Sequence, residues 1–230
     1  MSLPANSDID SFWEYSDPAA SEKRFAEAAQ SARGDERLEL LTQVARTYGL
    51  RKDFATAHRL LDEIEPQLAG AGPRPRIRSL LERGRTFNSA GEKEKARALF
   101  ERAWELAGKG GEEGLAVDAI HMIAIARSAT PESVELNRKG LALARGSKFA
   151  KAQSLIPAMY NNMAWDLHDM GRNEEALAAF EAALEAWSAR GRPKQVQVAK
   201  WSVAQCLRSL GRTDEAVKIE KALEAEGYKP

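Results

Sequence analysis

The chain has 230 residues, 43% apolar and 30% charged, an ordinary globular balance that argues against a disordered or membrane-embedded protein. Thirty-four basic residues offset thirty-four acidic ones, whereas a nucleic-acid binder usually needs a basic excess to neutralise phosphates. No apolar run approaches the ~20 residues that span a bilayer, and MSLPANSDID lacks a basic segment followed by an apolar one, so no membrane partner and no secretory signal are expected and a cytoplasmic location is the default.

Along the chain, residues 1–37 read as an N-terminal segment and capping helix, with Met1-Ser2-Leu3 set aside from fold reasoning. Within it, SFWEYSDP carries Phe12, Trp13 and Tyr15. The segment is expected to fold back and cover the open apolar face of the first repeat; the other reading is insertion into another subunit. Asp17-Pro18 and Thr130-Pro131 mark helix starts, because proline tolerates the first helical turn. Glycines such as Gly34, Gly49, Gly91, Gly171, Gly191 and Gly211 punctuate a helical period throughout. The pattern predicts helices near 18–32, 35–50, 53–68, 75–89, 92–108, 112–127, 131–145, 148–169, 173–189, 193–209 and 213–225, with no strand. Pro157 predicts a kink within 148–169. Cys206, the only cysteine, lies with Val203, Ala204 and Leu207 in an apolar helical pattern and reads as a small buried hydrophobe.

The predicted helices pair, and the pairs repeat. Gly91, Ala96, Phe100 and Ala103 recur with the same spacing as Gly171, Ala176, Phe180 and Ala183. The frame also lies over Leu41, Val44, Ala45, Tyr48, Ala57 and Leu61, and again over Val203, Ala204, Leu207, Gly211 and Ala216. A weaker copy runs through Val117, Ile120, His121, Ala124, Ser133 and Gly140. The small residue early in each second helix, at Ala57, Ala96, Ser133, Ala176 and Ala216, recurs at steps of 39, 37, 43 and 40 residues. Small residues let two helices approach while an aromatic fills the space beside them, and stacked pairs bury a continuous seam.

This frame resembles the tetratricopeptide repeat (TPR), W-x2-L-G-x2-Y followed by A-x3-F and A. Tyr160, Met163, Ala164, Leu167, Ala176 and Phe180 occupy its columns, as do Leu80, Arg83, Gly84, Phe87, Ala96 and Phe100. The copies are longer than the usual 34 residues, and NNMAWDLHDMGRNEEALAAFEAAL resembles repeats of the kinesin light chain type. Arg83 stands where an apolar residue is usual, and His121 where a small one is usual. The resemblance implies an all-α, right-handed α-α superhelix (a TPR solenoid) of about five helix pairs over 38–230, with repeats near 38–68, 75–108, 112–145, 148–189 and 193–226.

In this family the first helix of each pair lines a concave groove. The columns facing it are Thr42, Leu81, Asp118, Asn161 and Trp201, then Arg46, Arg85, Met122, Trp165 and Gln205, with Asn88, Asn162, His168 and Arg208 adjacent. One half is expected to be basic, through Arg46, Arg78 and Arg85, whose planar forks suit carboxylates. The other half carries Trp165, Trp201, Met122 and the amides Asn161 and Asn162, types suited to binding hot spots and to a peptide backbone. Singly, each of these could equally be a solvated or packed residue. The columns that hold a C-terminal carboxylate in chaperone-binding TPR domains contain Thr42, Arg46, Glu82, Leu115 and Ala119 here, which argues against that function.

No catalytic frame emerges. AGKGGEEG at 107–114 lacks the P-loop pattern and follows no strand. His58, His121 and His168, the last beside Asp169, are too few and too scattered to suggest a metal site. The expectation is therefore a non-enzymatic scaffold, without metal or cofactor, that binds a peptide or helix of a protein partner in the groove. The alternative is a self-associating module such as a homodimer, and the remote one is small-molecule binding or catalysis near Asp118 and His121.

Overall fold

Local chemistry sets the helix starts in the computed structural model, which describes residues 9–229; Met1-Ser2-Leu3 and most of MSLPANSDID lie outside them. Asp17 caps α1 (Pro18–Ser31) by accepting from Ala20 N at 3.0 Å, and Asp53 caps α3 (Phe54–Leu68) by accepting from Thr56 N at 3.1 Å. A reciprocal capping box between Thr130 and Ser133 opens α7 (Pro131–Gly146). The other helices are α2 (Gly34–Leu50), α4 (Pro73–Ser89), α5 (Lys93–Gly110), α6 (Glu113–Ala126), α10 (Asn173–Ser188), α11 (Pro193–Ser209) and α12 (Thr213–Ala225), with a 3-10 turn at Ile9–Phe12.

The predicted helix over 148–169 is instead two, α8 (Ala150–Ser154) and α9 (Ile156–Asp169). Pro157 sits in the first turn of α9. Its missing N–H and the restriction it places on the preceding residue turn the expected kink into a break.

The chain forms two compact units, residues 1–122 and 123–230. In the first, α2 packs on α1, α3 and α4, and α4 packs on α3 and α5. In the second, α9 packs on α7 and α10, and α11 packs on α10 and α12. Each unit is thus an all-α stack of helix pairs.

Packing follows the repeated small residues. A Cβ at Gly84 would come within 2.4 Å of the Phe100 ring, so only glycine lets α4 approach α5 this closely. Sixteen residues likewise separate Ala164 from Phe180, both buried in the second unit. The N-terminal aromatics are engaged within their own chain. Ile9, Phe12 and Trp13 pack on the cluster of Phe25, Ala28, Ala29, Leu40 and Val44, and Trp13 meets Phe25 edge-on at 4.9 Å between ring centroids.

Candidate functional site

The first helices of the first unit, α2, α4 and α6, are joined by a chain of paired charges, most of them buried or half-buried. Glu39 accepts hydrogen bonds from Arg74 Nε at 3.0 Å and Arg78 Nε at 2.9 Å. Arg74 reaches on to Glu112 at 3.0 Å. Glu82, only 2% exposed, accepts from Arg85 at 2.8 Å and from Gln43 at 3.4 Å, with Arg46 at 3.6 Å. Arg85 then grips both oxygens of Asp118 at 2.6 and 2.7 Å. On its other side Arg46 lies over the rings of Trp13 and Tyr15, at 5.2 and 5.9 Å.

Burial opposes the charge on Asp118, but Arg85 and Arg46 outweigh it and hold the carboxyl down at about 2. Burial pushes His121 down to about 4, reinforced by Arg85 and opposed by Asp118. His121 is therefore a neutral imidazole, and its Nδ1 has no hydrogen-bond partner. Asp118 is committed to Arg85, so the pair does not present a free carboxylate beside a titrating base.

The expected basic zone is present but neutralised. Arg46, Arg74, Arg78 and Arg85 are matched by Glu39, Glu82, Glu112 and Asp118. Glu39, Arg74, Gln43 and Glu112 did not stand out in the sequence, although a usable signal existed. Glu39 and Arg78 lie 39 residues apart, as do Gln43 and Glu82, which is the repeat step between Ala57 and Ala96. Positions one repeat apart face each other on neighbouring first helices, so opposite charges at that spacing pair. Thr42, Leu81 and Met122 are buried, and Asn88 is half-buried with its Oδ1 unpartnered.

The second unit gathers a different set. Trp165 of α9 meets Phe180 of α10 edge-on at 5.0 Å, His168 at 5.4 Å and Trp201 of α11 at 6.1 Å. His168 Nε2 contacts Ser209 Oγ at 2.9 Å. Asn161, Asn162, Trp165, Trp201 and Gln205 are all half-buried, and among the described residues none of these side chains has a hydrogen-bond partner. Arg208 is engaged elsewhere, forking onto Glu220 of α12 at 2.7 and 2.5 Å. The structure thus brings together Trp165, His168 and Trp201 on α9 and α11, and directs Arg208 toward α12.

Among the described residues, no cluster of three or more His, Cys, Asp or Glu could hold a metal ion, and no helix is long and apolar enough to cross a membrane.

Residues 155–224 match the tetratricopeptide repeat family model. No curated protein sequence matches the chain. Among solved structures, the chain is similar to a putative kinesin light chain with nearly identical TPR-like repeats from Podosopora anserina. That match has 19% identity and a TM-score of 0.67, over 86% of this chain and 100% of the other. It is also similar to BtubC (BKLC) from P. vanneervenii, with 16% identity and a TM-score of 0.69 over 98% and 95% of the two chains. A Rap protein complexed with competence and sporulation factor aligns over 93% of this chain and 59% of its own, at 17% identity and a TM-score of 0.68.

Proposed function

We propose that this all-α chain, whose residues 155–224 match the tetratricopeptide repeat model and whose fold is similar to repeats of the kinesin light chain type, is a non-catalytic protein-interaction scaffold. It holds a peptide or helix of a partner protein on the first-helix face of α9 and α11.

One observation carries this reading. Two indoles, Trp165 and Trp201, meet at 6.1 Å between α9 and α11, and Asn161, Asn162 and Gln205 of the same two helices are half-buried without a side-chain hydrogen bond among the described residues. Their side-chain groups are not committed within the chain, and a partner's main chain offers the donors and acceptors that amides and indole N–H groups can engage. Tryptophan adds a rigid, desolvating anchor. The Rap protein solved with competence and sporulation factor supports a fold of this kind engaging another polypeptide.

Selection from a displayed library of linear peptides tests the reading. Peptides enriched on the native chain are expected to bind an Asn161→Ala, Asn162→Ala, Trp201→Ala variant at least about tenfold more weakly, with helicity unchanged. Failure to enrich any peptide, or equal binding to the variant, would overturn it.

A further inference from the structure

In the first unit, α3, α4 and α5 line an open cleft. It has a volume of about 610 Å³ and is lined by all three helices. Three helical stripes face it. Asp62, Glu65 and Leu68 come from α3, Arg76, Leu80 and Arg83 from α4, and Leu99, Arg102, Leu106 and Lys109 from α5. The α5 stripe runs from Leu99 to Lys109, about 15 Å at helical rise.

A repeat-equivalent cleft one step earlier is much smaller, about 210 Å³. Arg37, Leu41 and Leu60 of the smaller cleft correspond to Arg76, Leu80 and Leu99 of the larger, each 39 residues on. The difference lies beside them. Val44 packs into the cluster around Phe25. Its equivalent, Arg83, instead reaches to Asp62 at 2.7 Å and Glu65 at 3.9 Å on α3.

The charges in the large cleft sort into paired and unpaired. Arg83 answers Asp62 and Glu65, and Lys109 is bound to Glu105 at 2.6 Å. Arg76 and Arg102 are exposed and have no hydrogen-bond or ion-pair partner among the described residues. Leu80, Leu99 and Leu106 between them are only half-buried.

From these observations we propose that the cleft is a second docking surface, independent of the α9–α11 face, for an acidic amphipathic helix of a partner protein. An apolar stripe on that helix covers Leu80, Leu99 and Leu106, and flanking carboxylates fork onto Arg76 and Arg102. An open trough of this length takes about three turns of helix along it.

The test uses the full chain, labelled for amide chemical shifts, and a blocked peptide of roughly 14 residues with leucine at helical spacing and glutamate elsewhere. The expected result is binding that shifts amides of 62–69, 76–83 and 99–109. It should weaken about tenfold in an Arg76→Glu, Arg102→Glu variant, and as much again when every peptide glutamate is replaced by lysine. Both substitutions lie at exposed positions, and unchanged circular dichroism confirms that the variant is folded. No shift at about 1 mM peptide, or affinity unchanged by the substitutions, would overturn the proposal. Succinate reproducing the same shifts at equal concentration would reduce the cleft to simple anion binding. Shifts that grow with protein concentration alone, and vanish in the variant, would assign it to a second copy of this chain. Either result rejects a partner helix.

Discussion

The two units use the same helical frame for opposite ends. In the first, charged groups on the first helices face one another, so that Glu39, Glu82 and Asp118 form ion pairs with Arg46, Arg74, Arg78 and Arg85. In the second, the corresponding helices carry Asn161, Asn162, Trp165, Trp201 and Gln205 with no such mutual satisfaction. Equivalent columns of one repeat can therefore hold a solenoid together or stay available to a ligand, depending on whether adjacent repeats carry complementary groups. An arginine in a groove column is a binding candidate only when the next repeat lacks its carboxylate.

Substitution at Glu82 puts the largest strain on this contrast. Glu82→Ala leaves Arg85 and Arg46 buried beside a lost countercharge, and a cost of about 3 kcal/mol or more is expected in urea unfolding. A loss below about 0.5 kcal/mol would show that the first unit does not depend on its charge chain.

The acid dependence of stability is next in size. Folded His121 stays neutral to about 4, whereas in the unfolded chain it takes up a proton near its ordinary value of 6.5. Between these values the unfolded chain binds more protons, so stability is complete above about 6.5 and falls as pH drops toward 4. The shift corresponds to about 3 kcal/mol at one site. Asp118 extends the loss further, since its contribution is present above about 4 and disappears as pH falls toward 2. His121→Gln is expected to flatten the urea midpoint between pH 6.5 and 4 and leave the lower limb in place. An unchanged slope would locate the dependence elsewhere.

The smallest effect sharpens the comparison from the other side. Asn161→Ala and Asn162→Ala in the second unit remove amides that bond to nothing in the chain, so stability should change by no more than about 0.5 kcal/mol in either direction. A larger loss in thermal unfolding would mean that this face is structural too.

Much of the architecture was legible in advance. The recurrence of Ala57, Ala96, Ser133, Ala176 and Ala216 marks the helix pairs, and their burial in the structure follows from the close approach they permit. The site was legible only in outline. Trp165, Asn161, Asn162 and Trp201 were assigned to the first-helix face by column alone, and the structure brings Trp165 and Trp201 within 6.1 Å. Arg85 was assigned in the same way, but its partner Asp118 lies 33 residues on, and no local pattern links the two. Arg208 shows the same limit, since its fork onto Glu220 depends on how α12 folds back on α11.

By itself, the sequence determined the helices, their pairing and the columns each residue would occupy, because periodicity, capping and small-residue spacing act over a few turns of chain. Only the tertiary structure decided which first-helix residues are neutralised, which remain open, and that Arg83 pairs with α3 where Val44 packs into the Phe25 cluster. Those outcomes depend on distances between helices a full repeat apart, where charge pairing and packing are settled by three-dimensional neighbours rather than by neighbours along the chain.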